Sequence, residues 1–296
     1  MANAKEIQNR IHSIQDTMKI TNAMYMIASS KMQKARKALD NTLPFFEEQQ
    51  RTVAKFVASI EDLSSPFFGK HKKPEEITRG YVIITADKGL AGAYNQNVIR
   101  MAEAELKKGG TNRLYVMGEL GRQHFTRRNI SIEGEFRYTV QDPTLYRARS
   151  VAASLVDQYL KDELDEIYII YTKMQNAFKM EATKFCLLPL EREQILAKYN
   201  KEEEKYEDIV SFFPPLEQLL DHMVPNVVSG YIYGALVESY ASEQNSRMQA
   251  MQNATDNARQ MLHDLSIAYN RVRQAAITQE ITEVIAGAKA QKNKRK

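Results

Sequence analysis

The chain has 296 residues, with 41 Lys and Arg against 37 Asp and Glu, and a net charge of +4 at pH 7. So small a positive charge does not by itself indicate nucleic acid binding. The single cysteine, Cys186, excludes an internal disulfide and fits a reducing compartment. The sequence shows no signal-peptide core at its N-terminus and no run of about 20 apolar residues that would span a membrane. We therefore expect a cytosolic protein that reaches a membrane only through a partner.

Residues 1–60 have the pattern of one long helix with a coiled-coil seam. Neither Gly nor Pro interrupts residues 1–43, and Pro44 is expected to bend the helix rather than end it. Apolar and small side chains recur at alternating spacings of four and three, which is typical of a coiled coil. The seam residues are Ile7, Ile11, Ile14, Met18, Thr21, Tyr25, Ala28, Met32, Ala35 and Leu39, and the same phase continues in Phe46, Gln49, Val53, Phe56 and Ile60.

The middle of the chain alternates strand and helix patterns. Such alternation predicts a compact, Rossmann-like α/β domain over roughly Thr78–Pro189. The predicted strands lie in "GYVIITADKG", "RLYVMGE", "LDEIYIIYTKM" and "TKFCLLPL", and the helices in "NQNVIRMAEAELKKGG" and "PTLYRARSVAASLVDQYLKD". The charged segment Glu191–Asp208 that follows is expected to be a solvated linker or hairpin.

The last part of the chain predicts a second, longer helix. Three prolines mark its entry (Pro214, Pro215 and Pro225), and neither Gly nor Pro occurs from Ala235 to Ala286. Its seam is formed by Ala241, Gln244, Met248, Met251, Thr255, Ala258, Leu262, Leu265, Tyr269, Val272 and Ala276, and it then slips by one residue to Ile277, Ile281, Val284 and Ala288.

The two seams predict an antiparallel coiled coil between the two ends of the chain. Because the N-terminal helix is the shorter one, the last turns of its partner, Arg273–Ala290, are expected to have no partner within the chain. An apolar stripe left uncovered in this way marks a binding surface. The expected fold is thus an α plus α/β protein, with a coiled coil of residues 1–62 and 209–296 around a central α/β domain of residues 63–208.

The sequence offers few candidates for catalysis. The best is the turn "TADKGLAGAYN" (Thr85–Asn95), since a glycine turn that opens a helix can present N–H groups to phosphate. It matches no nucleotide-binding fingerprint, and we favour the interpretation that Gly89 and Gly92 shape a tight turn, with Asp87 and Lys88 as a surface ion pair. No two histidines have metal-ligand spacing. We therefore expect no catalytic residues, no cofactor and no metal.

A basic stretch on the first helix, Ser30–Lys37, carries four positive and no negative residues, and the tail "KAQKNKRK" is also basic. Each is either a solvated surface or a docking site for an acidic partner. Nucleic acid is disfavoured, because neither stretch interleaves aromatic residues.

Four sequence blocks resemble, in the same order, those of the gamma subunits of F-type ATP synthases. They are "KITNAMYMIASSKMQKAR", "TADKGLAGAYN", "SRMQAMQNATDNA" and "YNRVRQAAITQEITEVIAGAKA". The last block matches the family pattern I-T-x-E-x-x-E-x-x-x-G-A at every position, and the resemblance covers essentially the whole chain. The chain is therefore identified as a member of this family, of the bacterial type.

The resemblance implies a central rotor shaft. Such a subunit couples proton flow through the membrane ring to conformational change at the beta-subunit catalytic sites, in ATP synthesis or hydrolysis, and has no active site of its own. Its implied partners are the alpha and beta subunits of the F1 hexamer, the epsilon subunit and the membrane c-ring. Its implied place is the cytoplasmic side of the cell membrane, as a peripheral protein of the central stalk.

The resemblance also implies contact residues. Arg273, Gln274, Thr278 and Glu280 would make polar contacts with a beta-subunit loop in one rotary position. Met24 matches a family position near the moving lever of the beta subunit, and it fits equally well as a plain coiled-coil residue.

Two other classes of function remain open from the residues alone. One is a coiled-coil tether with the α/β domain as a cargo or nucleotide module, and the other is a phosphate-binding enzyme built on the turn at Asp87. Copurification with alpha, beta and epsilon subunits would separate the shaft from the tether. Nucleotide binding by the isolated chain would favour the enzyme.

Overall fold

The chain forms two compact units. In the computed structural model, the coiled-coil unit consists of Met1–Ile27 and Met248–Lys296, and the α/β unit of Ala28–Arg247. The structure describes residues 4–58, 65–69, 76–134, 139–176, 179–197 and 216–293.

A four-stranded mixed sheet lies in the α/β unit. Its strands are β1 (Thr78–Ile84), β2 (Thr111–Met117), β3 (Glu166–Met174) and β4 (Met180–Leu188). The order across the sheet is β2-β1-β3-β4. β1 is parallel to both β2 and β3, and β3 is antiparallel to β4. Every strand lies on an apolar run that predicted it.

Helices cover both faces of this sheet. The short ones are α2 (Tyr94–Leu106), α3 (Glu119–Arg127) and α4 (Leu145–Leu160), and the long ones are α1 (Ala4–Ala58) and α6 (Leu216–Asn293). Successive side chains of a strand point to opposite faces. In β1, Tyr81 and Ile83 therefore pack with α2 and α3, whereas Val82 and Ile84 pack in the larger core with α4, α1 and α6.

The two long helices run antiparallel within the α/β unit. Phe46 of α1 packs against Tyr233 of α6, with ring centroids 6.0 Å apart. Earlier on α1, Ala35 borders the same cleft as Val237 and Tyr240, which lie later on α6. Moving back along α1 thus means moving forward along α6. The predicted combination of an antiparallel coiled coil with a Rossmann-like α/β domain is confirmed.

The coiled-coil unit is held by the predicted seams. Ile7 and Thr21 of α1 are buried, as are Met251, Thr255 and Ala258 of α6. The hydroxyl oxygens of Thr21 and Thr255 lie 2.8 Å apart and form a buried hydrogen bond between the two helices. A seam that places one polar residue opposite another favours one register of the two helices.

Two details differ from the sequence-based expectation. Pro225 does not end or begin a helix but lies inside α6; the helix starts before it because the buried side chains of Leu220 and Val224 hold its first turns in the core. The predicted linker begins as a short helix, α5 (Arg192–Ala197), since Ile195 packs against the same core.

Several predictions fall outside the described residues. They concern Ile60 in the first seam, the charged sequence at 201–208, and the proposed domain boundaries after residues 62 and 208. Where the chain is described, no helix has the length and apolar composition needed to cross a bilayer.

Candidate partner-binding surface

The end of α6 is an exposed helix with an apolar stripe. Within the coiled-coil unit, every described side chain from Arg273 to Lys289 is exposed. The large apolar residues there are far from buried: Ile277 is 43% exposed, Ile281 54%, Val284 71% and Ile285 52%. Exposed apolar residues repeated on one side of a helix form a contiguous patch, which is typical of a protein-binding surface.

The opposite side of this helical end is polar. Gln279 Nε2 donates to Glu283 Oε1 at 3.0 Å, which links two neighbours one turn apart. Thr278 and Thr282 each donate their hydroxyl to the backbone carbonyl four residues earlier, at 2.9 and 2.7 Å. Helical spacing puts Gln279 and Glu283 on the side opposite Ile281, whereas Thr278 lies beside Ile281. The end of α6 therefore has two chemically different sides.

Four of the five predicted contact residues lie on this end of α6. Arg273, Gln274, Thr278 and Glu280 are all exposed, so their side chains are accessible to a partner. Met24 lies instead on α1, half-buried and between the seam residues Thr21 and Tyr25. Their role in partner contact stays a prediction.

The turn Thr85–Asn95 uses its polar groups within the fold. Asp87 does not form the expected surface ion pair with Lys88. Its carboxylate accepts from the Glu119 N–H at 3.1 Å, the Thr139 hydroxyl at 2.5 Å and the Val140 N–H at 3.2 Å. Asp87 therefore joins the N-terminus of α3 to the segment before α4, and both of its oxygens accept hydrogen bonds within the fold.

The same turn is fastened to α6. Arg247 donates to the carbonyl oxygens of Lys88 at 3.2 Å and Gly89 at 3.1 Å. Its guanidinium also pairs with Glu243 at 2.6 Å, and both side chains are nearly buried. Burial raises the pKa of Glu243, while Arg247 opposes that rise. This cluster ties the sheet to the long helix, and it supports the structural interpretation of the glycine turn.

Tyr94, at the end of the turn, adds a second link. Its hydroxyl lies 2.6 Å from the Ser239 hydroxyl in a buried hydrogen bond. Burial raises the pKa of Tyr94 well above its usual range, so the phenol stays protonated.

The remaining candidates for chemistry are engaged in structure. His124 Nε2 lies 2.8 Å from Glu103 Oε1, and Arg128 binds the same carboxylate. The hydrogen bond from His124 is the main reason why the pKa of Glu103 is lowered. Burial raises the pKa of Cys186 to about 12, which makes its thiol a poor nucleophile. The described residues include no group of acidic, His or Cys side chains that would hold a metal ion.

Sequence reasoning missed Arg247, Glu243 and Ser239. Glu243 and Arg247 did give a signal, since an acid four residues before a base on a helix is a favourable pair. Nothing local indicated that Arg247 would reach a turn some 160 residues earlier in the chain.

Comparison with known proteins assigns the family. The ATP synthase family model matches residues 3–291. The ATP synthase gamma chain of Ruminiclostridium cellulolyticum is 40% identical over 97% of this chain and 98% of its own length. That of Acetivibrio thermocellus is 41% identical over 99% and 100%. The sodium ion specific ATP synthase gamma chain of Acetobacterium woodii is 37% identical over 97% and 98%.

Solved structures agree with this assignment. A chain of the Tetrahymena thermophila mitochondrial ATP synthase central stalk and c-ring gives a TM-score of 0.54 at 26% identity, over 79% of this chain and 99% of that one. A chain of the Euglena gracilis mitochondrial ATP synthase gives 0.64 at 16% identity, over 99% and 96%, which shows a shared fold. With the family model matching nearly its whole length and relatives at about 40% identity end to end, the chain belongs to the family of ATP synthase gamma chains.

Proposed function

We propose that the chain is the central rotor shaft of an F-type ATP synthase. In this role it couples proton flow through a membrane ring to conformational change at catalytic sites on the beta subunits, and it performs no chemistry of its own. The single observation that supports this most strongly is the uncovered end of α6, where all described side chains after Val272 are exposed. A long helix that carries an exposed apolar stripe is suited to binding inside another protein.

The two-sidedness of this end supports a rotary mechanism. One side carries Ile277, Ile281 and Val284, and the other carries Gln279 and Glu283. A single helix has no threefold symmetry, so three equivalent subunits around it meet different sides at any moment. Each side favours a different conformation of the subunit that it touches, and turning the helix exchanges those conformations among the three.

The strength of these contacts has to be moderate. A shaft shifts the equilibrium of a catalytic subunit by no more than its difference in contact free energy between the two conformations. One very strong contact would hold the shaft in place. The residues near the tip, Ala286–Ala288, have almost no side chain and are exposed, which suits a surface that slides past its neighbours.

The proposed partners follow from the same role. The end of α6, with Arg273, Gln274, Thr278 and Glu280, would contact the alpha and beta subunits, and Met24 would contact a beta subunit from α1. The α/β unit would bind the epsilon subunit and rest on the c-ring. The chain would then be a peripheral protein on the cytoplasmic side of the cell membrane.

Truncation tests the proposal. A chain ending at Ala276 lacks Ile277 and all later contacts, and it should assemble into a complex in which ATP synthesis driven by an imposed proton gradient falls severalfold. Thermal unfolding of the α/β unit should not change, because the deleted side chains that the structure describes are exposed and not part of its core. ATP synthesis in reconstituted vesicles and calorimetry of the purified chain measure the two effects.

A shorter truncation is the matched control. Ending the chain at Ala290 removes most of the basic tail but keeps the apolar stripe, so coupling should stay near that of the full chain. Full coupling by the chain that ends at Ala276 would exclude the end of α6 as the coupling element. Loss of the α/β unit's cooperative unfolding would show that the deleted residues stabilise the fold.

A further inference from the structure

A small cleft lies in the α/β unit, between α1, the segment before α4, and α6. Its volume is about 180 Å³. Five residues with polar side chains border it, and they come from three separate parts of the chain. These are Lys31 and Lys34 on α1, Asp142 and Thr144 before α4, and Tyr240 on α6. None of them belongs to the surface proposed for partner binding or to the cluster around Arg247.

Tyr240 gives the first indication of a ligand. The residue is 4% exposed, yet its buried hydroxyl has no hydrogen-bond partner among the described residues. Burying a polar group without a partner is costly, and native proteins rarely do so without a reason. Burial, followed by the carboxylate of Asp142, raises the pKa of Tyr240 to about 12. Tyr240 borders the cleft, and its hydroxyl is protonated and therefore a hydrogen-bond donor.

The charges at the cleft favour an anion. Lys31 and Lys34 contribute two positive charges against the one carboxylate of Asp142. Lys31 also acts on Glu243, but that carboxylate is already paired with Arg247 at 2.6 Å. Lys34 forms no ion pair within the described part of the chain. The cleft therefore keeps an excess positive charge that the fold does not neutralise.

The N-terminus of α4 adds to this positive character. α4 has 16 residues and begins directly after Thr144, whose hydroxyl accepts from the Arg147 N–H as an N-cap. The first turn of a helix of this length carries a partial positive charge that attracts anions. Arg147 is not counted among the groups that would bind a ligand, because its guanidinium donates to the carbonyl of Gln141 at 3.1 Å.

We propose that this cleft binds a small oxyanion of the phosphate class, held by the Tyr240 hydroxyl, Lys31, Lys34 and the start of α4. A volume of about 180 Å³ suits a tetrahedral oxyanion with its water, whereas pockets for whole nucleotides and other drug-sized ligands are about 300–1,000 Å³. The ligand is therefore a free phosphate ion, or the terminal phosphate of a larger molecule that extends out of the cleft.

Thermal unfolding of the full-length chain tests the proposal. Phosphate is added at constant ionic strength, with chloride as the balancing anion. A ligand that binds only the folded state raises the midpoint in proportion to the logarithm of its concentration. Phosphate should raise the midpoint of the natural chain, and Tyr240→Phe should weaken the apparent affinity about tenfold or more, because a hydrogen bond to a charged group is lost. Lys34→Gln should weaken it as well.

Two controls separate binding from folding. Lys37→Gln removes a charge from the same basic stretch at a position that does not border the cleft, and it should keep the phosphate response. Without phosphate, Tyr240→Phe should unfold at the same temperature as the natural chain or higher, because it removes a buried hydroxyl that has no partner among the described residues.

The possible outcomes are decisive. Equal midpoints in phosphate and chloride, or an undiminished phosphate response in Tyr240→Phe, would overturn the proposal. A marked loss of stability in Tyr240→Phe without phosphate would also overturn it, by showing that the hydroxyl has a partner in the protein. Stabilisation by ATP at lower concentrations than phosphate, abolished by Tyr240→Phe, would support the site with a phosphate ester as its ligand.

Discussion

Gly230 of α6 lies directly against the ring of Phe46 of α1, so that a Cβ on Gly230 would stand 2.4 Å from Phe46 Cδ1. Phe46 is 5% exposed, and Tyr233 packs on its ring, so the ring has little room to move. We predict that Gly230→Ala destabilises the protein. Overpacking costs about 1–3 kcal/mol, and Ala regains up to about 1 kcal/mol in helix propensity. With the full gain in propensity, the net loss should be up to about 2 kcal/mol.

Gly234, one turn later on α6, is the matched control. A Cβ there meets no heavy atom within 4 Å. Gly234→Ala should therefore raise the free energy of unfolding by up to about 1 kcal/mol, through helix propensity alone. Chemical denaturation of both variants measures the difference. Equal effects at the two positions would mean that contact with Phe46 does not limit the approach of the helices.

The second prediction concerns the buried pair of Glu243 and Arg247. Arg247→Met leaves the Glu243 carboxylate buried without its partner and removes the donor to Lys88 and Gly89. We expect a loss of about 3 kcal/mol, as for other buried pairs from which one partner is removed. Adding Glu243→Gln to this variant should recover part of the loss, since the unpaired charge is then gone. Denaturant unfolding of the single and double variants gives both values.

An exposed pair on the same helix serves as the reference. Arg259 and Asp256 lie 2.7 Å apart with more than half of each side chain exposed. Arg259→Met should cost less than about 1 kcal/mol. If Arg247→Met cost no more than Arg259→Met, the buried pair would not be what fastens the turn to α6.

Much of the fold follows from local patterns. The spacings of four and three placed Ile7, Thr21 and Met251 at a helix interface because a helix repeats nearly every 3.6 residues, and the structure buries all three. Ala276 continues the pattern but is exposed. A periodic sequence shows which side of a helix is apolar. Burial of that side also requires a second helix packed against it at the same level.

Contacts between distant segments were not predictable in this way. Nothing near Gly230 in the sequence indicates that Phe46 will cover it, and nothing near Arg247 indicates Lys88. The cleft at Tyr240 likewise combines three segments whose register is set by the packing of whole helices. Asp87 was expected in a surface ion pair, because a sequence shows charged neighbours but not the N–H groups that folding brings to them.

The third prediction is a pH dependence from Glu238. Burial raises the pKa of this carboxyl above its usual 4.5, and Lys173 and Tyr171 oppose the rise only in part. The folded state therefore holds the proton more tightly than the unfolded state, so this contribution to stability falls as the pH rises from about 4.5 through the raised pKa. Glu238→Gln should be more stable than the natural chain above that range and similar to it at lower pH.

Glu103 should show the opposite sign. The hydrogen bond from His124 lowers its pKa, so its contribution is present above 4.5 and lost as the pH falls through the lowered pKa. Glu103→Gln should therefore be the less stable chain at neutral pH and approach the natural chain in acid. Free energies of unfolding at a series of pH values, taken as differences from the natural chain, separate the two residues. Differences that do not change with pH would contradict both assignments.

The last prediction separates coupling from folding at the end of α6. Ile281 and Val284 are 54% and 71% exposed, so replacing both with Ser removes little buried surface. The free energy of unfolding should change by no more than about 0.5 kcal/mol. If the proposed role is correct, the assembled complex should nevertheless synthesise less ATP per unit of proton gradient, because the apolar stripe no longer matches its surrounding subunits.

Met251 gives the contrasting result on the same helix. It is buried in the seam, and Met251→Ala should lower the free energy of unfolding by about 2 kcal/mol or more, since it leaves a cavity. In calorimetry, Met251→Ala should therefore be the less stable of the two variants. In reconstituted vesicles, the chain with Ser at 281 and 284 should be the one that synthesises less ATP. Unchanged synthesis with Ser at 281 and 284 would mean that the stripe is exposed without being used, and the proposed shaft would need another contact surface.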